Sequence, residues 1–145
     1  MIQEMKVKEI MTRNVSTISP DSTIKEAAEI MRNLDVGVVP VCQGKKPVGI
    51  ITDRDIVIRN VAKAEDANKP VREVMSPGII YAEPDMSVTE AADIMAVRQV
   101  RRLPVVENDE LVGIVSLGDL ALNELTDMEA AQALTDISVP DKAKK

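Results

Sequence analysis

The sequence predicts an α/β (α+β) fold: two copies of one β-α-β-β-α unit, packed as a closed pseudo-two-fold pair. Three observations predict it. The chain repeats itself without a gap at a constant offset of 64 residues, Met11 returning as Met75 and Asp55 as Asp119. Within each copy, one segment with helical apolar spacing alternates with short β-branched runs. Each copy alone is also too short to bury a comfortable core, and two copies are too few for a solenoid, so they are expected to close on a shared interior.

The elements follow in order. Val7-Lys8-Glu9-Ile10-Met11 leads the first copy and Val71-Arg72-Glu73-Val74-Met75 the second. Val15-Ser16-Thr17-Ile18 is a short extended segment, ended by the turn signal Ser19-Pro20-Asp21, which returns as Pro84-Asp85. A helix is expected next, with Ile24, Ala27, Ala28, Met31 and Leu34 on one face. Thr23-Ile24-Lys25-Glu26 and Ser87-Val88-Thr89-Glu90 mark its start in the two copies with a capping-box pattern. Val36-Gly37-Val38-Val39-Pro40-Val41 is a strand apolar enough to be buried on both sides. Gln43 to Pro47 is a hairpin loop, matched by Glu107 to Glu110, and Val48 to Thr52 is the partner strand. Asp53-Arg54-Asp55 opens a second helix running towards Val61. The predicted organisation is a first repeat at 7–62, a linker at 63–70, a second repeat at 71–125, and a C-terminal helix with a disordered tail at 126–145.

Composition narrows the function. Aromatic residues make up 1% of the chain against 45% hydrophobic, so the core must be aliphatic, with the eight methionines filling the larger gaps. A net charge of −6 argues against nucleic-acid binding, which needs a basic face. There is no histidine, so the commonest general base and metal ligand is missing, and no nucleophile–base pair is visible. The single cysteine, Cys42, excludes an intrachain disulfide and fits a reducing compartment. No signal peptide and no membrane-spanning apolar run is seen, which predicts a cytoplasmic protein away from membranes.

The polar residues that can carry chemistry sit where the last strand of each copy meets the following helix. Gly49-Ile50-Ile51-Thr52-Asp53-Arg54-Asp55 corresponds to Gly113-Ile114-Val115-Ser116-Leu117-Gly118-Asp119. A hydroxyl and free amides at a helix start can donate to phosphate, and an ionised carboxylate can accept from both hydroxyls of a ribose. The same Thr52-x-x-Asp55 and Ser116-x-x-Asp119 spacings are also capping boxes, and from spacing alone helix starting is the favoured reading, though the two roles are compatible. Arg54 is a further phosphate candidate, or else the partner of Asp53 or Asp55 in a surface ion pair.

Taken together, Met11/Met75, the Pro20-Asp21 turn, Val39-Pro40-Val41 and the doubled Gly-x-x-Thr/Ser-x-x-Asp resemble a tandem pair of CBS domains, a Bateman module, from about Val7 to Leu122. The resemblance implies two β-α-β-β-α repeats packed through their sheets, with clefts that commonly take AMP, ADP, ATP, NAD(H) or S-adenosylmethionine. It places the phosphate- or ribose-contacting hydroxyl at Thr52 and Ser116, and the ribose-holding carboxylate at Asp55 and Asp119. It points to Arg101 and Arg102 as phosphate contacts, where the first copy has Gly37 and Val38, so the two sites should be unequal. Ser16, Val38, Pro40 and Ile80 complete the expected ligand-binding set, Val38 and Ile80 with Val39 forming an aliphatic wall for adenine. The expectation is a non-catalytic regulatory sensor that binds an adenosine ligand and needs no cofactor or metal. It would act as a homodimer on an unidentified protein target. The alternative is a structural interaction module with empty clefts, in which the Thr/Ser-x-x-Asp motifs are only caps.

Overall fold

A computed structural model describes residues 4–121. The C-terminal helix and tail expected at 126–145, and the end of the last helix of the second repeat, lie outside the described residues. The order is α1 (Val7–Ile10), α2 (Ile24–Leu34), β1 (Val38–Gln43), β2 (Lys46–Thr52) and α3 (Asp53–Ile56), which a π turn (Val57–Val61) continues. A 3-10 turn (Val71–Glu73) and β3 (Ser76–Pro77) lead to α4 (Val88–Arg98), β4 (Arg102–Glu107), β5 (Glu110–Ser116) and α5 (Leu117–Ala121). β1, β2 and β3 form one antiparallel sheet in that order, and β4 pairs with β5 in a second.

The chain divides into two compact units, and neither is a simple half of the sequence. Among the described residues, one contains 4–15, 80–108 and 112–121; the other contains Ser16–Ile79 and Asp109–Leu111. The leading segment of the first copy therefore belongs with the body of the second, and the leading segment of the second with the body of the first. Buried residues form two clusters rather than the one shared core expected from the sequence. Val7 packs with Val88, Ala91, Met95, Leu103, Val105 and Val115, whereas Val71 and Val74 pack with Ile24, Ala27, Val39, Val41 and Ile51.

The docking of these segments is the same in both units. Val7 N and Lys8 N donate to Met86 O (2.9 Å) and Pro84 O (3.0 Å), while Val71 N and Arg72 N donate to Ser22 O (2.7 Å) and Pro20 O (3.0 Å). Lys8 pairs with Asp85 at 3.0 Å, and Arg72 pairs with Asp21. The repeated Pro-Asp is thus more than a turn: its proline carbonyl and its carboxylate both receive the segment from the other copy. The Asp85 carboxyl is held below the usual range by hydrogen bonding and charge from Lys8, with Lys6 adding to it.

Within each unit the local signals explain the elements. Thr23 Oγ1 accepts from Glu26 N (3.0 Å) and Ser87 Oγ from Glu90 N (3.1 Å), and both helices end on a left-handed residue, Asp35 and Gln99. α4 buries Val88, Ala91, Ala92 and Met95, but α2 buries only Ile24, Ala27 and Met31. Ala28 and Leu34, expected on that face, are exposed, because the first copy's stripe is narrower. The strand expected at 36–41 begins at Val38 and runs to Gln43, its four central residues Val39 to Cys42 all buried. The hairpin loop is shorter than expected, at Gly44-Lys45, and in the second copy Asn108 and Asp109 both take positive φ, as a type I′ turn requires. The extended segment expected at 15–18 reduces to one parallel bridge, Ile18 to Val41, with Ala82 to Val105 as its counterpart. One bridge is too little to count as a strand.

The stretch from Asn60 to Pro70, expected as the linker, is held by hydrogen bonds. Asn60 is buried, its amide donating to Asp66 O (3.1 Å), while Lys69 O and Ala67 O accept from Ile24 N and Lys25 N at the start of α2. Those helix amides would otherwise lack partners.

Two glycines mark where the leading segments press closest. A Cβ on Gly49 would lie 2.6 Å from Ser76 O, and one on Gly113 would lie 2.7 Å from Met11 Sδ and 2.9 Å from Thr12 O. Because a backbone oxygen cannot swing aside as a side chain can, Gly49→Ala and Gly113→Ala should each lower the unfolding free energy by about 1–3 kcal/mol. Urea denaturation reads this directly; a neutral Gly113→Ala would mean that residues 11–12 do not dock on β5.

Candidate ligand-binding junctions

The first junction joins β2 to α3. Thr52 Oγ1 accepts from Asp55 N (3.0 Å), and Thr52 N donates to Asp55 Oδ2 (3.0 Å), a complete capping box. Asp53 N donates to Gly37 O (2.9 Å) and Arg54 N to Asp53 Oδ1 (2.8 Å). The first three amides of α3 are therefore all paired. This corrects the expectation of free amides for phosphate: here the protein's own oxygens occupy them. Asp55 is buried, and Ser76 Oγ lies 3.5 Å from its Oδ1.

The second junction joins β5 to α5 and repeats the box. Ser116 N donates to Asp119 Oδ2 (2.9 Å), and Asp119 N donates to Ser116 Oγ (3.0 Å). Leu117 N donates to Arg101 O (2.8 Å), the counterpart of the bond from Asp53 N to Gly37 O. Two differences matter. Leu117 has no carboxylate to take the next amide, so Gly118 N finds no acceptor among the described residues. Asp119 is half-buried rather than buried, and its Oδ1 takes no hydrogen bond among them.

The structure places the remaining candidates as follows. Val38 pairs in register with Thr52, so it opens β1 beside the first junction, and buried Pro40 pairs with Ile50. Arg54 is exposed and makes no ion pair within 4.0 Å among the described residues. Arg101 and Arg102 are both exposed where β4 begins, and the Arg101 carbonyl fixes Arg101 against the start of α5. Ser16 and Ile80 are exposed, and neither hydrogen-bonds to a junction residue. Cys42 is buried on β1, where desolvation pushes its thiol up, so it stays protonated and inert near neutral pH.

Sequence reasoning missed two participants, Gly37 and Ser76, and one buried polar residue away from the junctions, Asn60. Gly37 would place a Cβ 3.1 Å from Asp53 Oδ2, so its lack of a side chain makes room for that carboxylate. The signal was present, since the same two positions in the second copy are Arg101 and Leu117. Ser76 beside Asp55 corresponds to Thr12, a hydroxyl in both copies. Buried Asn60 has no counterpart pattern that marks it. Apart from the junctions, a cavity of about 140 Å³ is lined by Ile24, Arg59, Asn60, Lys63, Glu65, Lys69, Glu73 and Val74, and includes no junction residue.

Two units of this architecture, each with a Thr/Ser-x-x-Asp box between its last strand and helix, define a tandem domain pair. The chain belongs to the CBS-domain family, whose model matches residues 7–60 and 71–124. It is 47% identical over 132 residues to the CBS domain-containing protein YhcV of Bacillus subtilis, covering 91% of this chain and 94% of that one. Among solved structures it is similar to Hypoxic Response Protein I with two coordinated zinc ions, at TM-score 0.74 and 35% identity, covering 81% of this chain and 98% of that one. It is also similar to the CBS domain pair of protein MJ0100 in complex with 5′-methylthioadenosine and S-adenosyl-L-methionine. There the TM-score is 0.72 at 30% identity, covering 83% of this chain and 95% of that one. The zinc belongs to the former protein: this chain has no histidine, and among the described residues no group of three His, Cys, Asp or Glu could hold a metal. Among them, too, no helix is long and apolar enough to cross a membrane.

The two boxes set a stability expectation. Thr52→Val and Ser116→Ala each remove one cap and should lower the unfolding free energy by about 1 kcal/mol. Denaturant titration of the two variants checks it.

Proposed function

We propose that this protein is a non-catalytic regulatory sensor that binds an adenosine-containing ligand at its Thr/Ser-x-x-Asp junctions. The observation that carries the reading is the second junction. Among the described residues, Asp119 Oδ1 there takes no hydrogen bond and Gly118 N finds no acceptor, and the Arg101 whose carbonyl accepts from Leu117 N is exposed. A carboxylate oxygen suits ribose hydroxyls, and an amide with a guanidinium suits phosphate. Membership of a family in which the MJ0100 pair holds two adenosine compounds supports the ligand class. The aliphatic residues Val38, Val39 and Ile80 suit an adenine face, and Ser16 and Pro40 belong to the proposed ligand wall.

Binding would favour one arrangement of the protein over another, and a partner protein would respond to the change. The signal can be no larger than the ligand's differential affinity for the two states. A homodimer acting in the cytoplasm, which the single cysteine fits, is part of the proposal. Catalysis is not, because no histidine and no nucleophile–base pair is available.

A specific observation favours a second reading, the caps-only module. At the first junction every early α3 amide is already paired and Asp55 is buried. Thermal and chemical denaturation with an adenosine panel separates the two. A ligand at about a hundred times its dissociation constant should add about 2.7 kcal/mol of stability. Asp119→Ala should weaken that effect far more than it lowers unliganded stability. No added stability from any adenosine compound at millimolar concentration would leave only the caps.

A further inference from the structure

We propose that the cavity beside the π turn is a binding site for a small aliphatic α-amino acid. It lies wholly within the unit that contains Ser16–Ile79, and none of its residues belongs to a junction. The inference is therefore independent of the adenosine reading.

The floor of the cavity is buried and its rim is charged. Ile24, Asn60 and Val74 are 1%, 1% and 3% exposed, while Arg59, Lys63, Glu65 and Glu73 are exposed. The buried amide points to a ligand. Asn60 Nδ2 donates to Asp66 O (3.1 Å), which fixes the orientation of the side chain. Its Oδ1 takes no hydrogen bond among the described residues. No fully buried side-chain oxygen among them lacks a partner, so Oδ1 keeps its access through the cavity. An acceptor held there calls for a donor. Arg59 and Asn60 both lie on the π turn (Val57–Val61), a distortion frequent at functional sites.

The charges decide what that donor belongs to. Lys69 and Glu65 satisfy each other at 2.5 Å. Arg59, Lys63 and Glu73 make no ion pair within 4.0 Å among the described residues. Arg59 Nη1 donates to Val74 O (3.2 Å) and Met75 O (3.4 Å), which anchors the guanidinium and leaves Nε and Nη2 for a carboxylate. A plain anion would suit Arg59 and Lys63 but would face Glu73 and the Asn60 acceptor. A plain amine would suit the second pair and face the two cations. A zwitterion answers all four, its carboxylate to Arg59 and Lys63 and its ammonium to Glu73 and Asn60 Oδ1. The volume of about 140 Å³ is below the roughly 300 Å³ at which pockets for drug-sized ligands begin. The apolar lining is Ile24 and Val74, so the ligand's side chain is small and aliphatic.

The second repeat does not carry the same groups. At the offset of 64 residues, Arg59, Asn60 and Lys63 become Asn123, Glu124 and Asp127, so one ligand per chain is expected. Glu73 and Val74 belong to the crossing segment that Arg59 already holds, so occupancy would fasten that segment to its unit.

Calorimetric titration of the full chain with glycine, alanine and valine at millimolar concentration tests the site. At least one should bind, one per chain. Its N-acetyl derivative, without the ammonium, and its amide, without the carboxylate, should each bind at least about tenfold more weakly. Lys63→Gln and Glu73→Gln change exposed side chains and should each weaken binding about tenfold, with the urea midpoint of the free protein unchanged. Asp119→Ala, at the junction, should leave amino-acid binding as it was. Binding of none of the three, equal binding of the N-acetyl derivative, unchanged affinity in both charge variants, or loss in Asp119→Ala instead would each overturn the assignment. None of these outcomes bears on whether an adenosine compound binds elsewhere.

Discussion

The rest of the structure depends on the crosswise docking of the leading segments. A repeat of this length has too little apolar surface to close a core alone. Each unit is completed by a short segment that precedes the other repeat in sequence: Val7 buried among Val88, Met95 and Leu103, and Val71 among Ile24, Val39 and Ile51. The same backbone bonds to Pro84 and Met86, and to Pro20 and Ser22, hold the segments in place. The burial stabilises both units, and the bonds leave few polar groups unmet where the chain crosses over. Cutting the chain at the repeat boundary would deprive each unit of part of its core.

The same docking reaches the junctions. The leading segment of the second copy continues into β3, which pairs Ser76 with Ile50 on β2 and sets the Ser76 hydroxyl near Asp55. In the other unit Thr12 bonds Ile114 through both backbone groups, one strand residue from Gly113. Glycine is required at both crossings because the incoming backbone or sulfur lies where a Cβ would be. The capping box then turns the end of the strand into a helix. Each box fixes one oxygen of its aspartate; the other lies 3.5 Å from Ser76 Oγ at Asp55 and takes no hydrogen bond among the described residues at Asp119.

Much of this was legible in the sequence, because the sequence is written twice. The repeat exposed the fold, the helix caps at Thr23 and Ser87, the hairpins and both Thr/Ser-x-x-Asp boxes, each signal being local. The crosswise exchange was not legible. Val7 and Val71 read as the starts of their own repeats, and nothing in local spacing says which body a short apolar segment joins. The short strand at 15–18 failed for a related reason: its apolar residues suit a strand, but only Ile18 finds a pairing partner. Buried Asn60 escaped notice within a polar stretch, since a partner such as Asp66 O is a backbone group with no sequence signature. Asp53 beside Gly37 was visible in principle, as the place where the copies differ in charge, but the contact that gives it meaning is three-dimensional.

The most direct test of the account is residue-resolved amide exchange and chemical-shift mapping of the full chain, free and saturated with an adenosine nucleotide. The central claim is that the boxes that start α3 and α5 are also ligand stations. It predicts that shifts and added protection concentrate at residues 116–119 and 101–102, with Gly118 N among the most affected. Perturbation absent from those residues, or spread evenly through both cores, would contradict it and leave the boxes as helix caps.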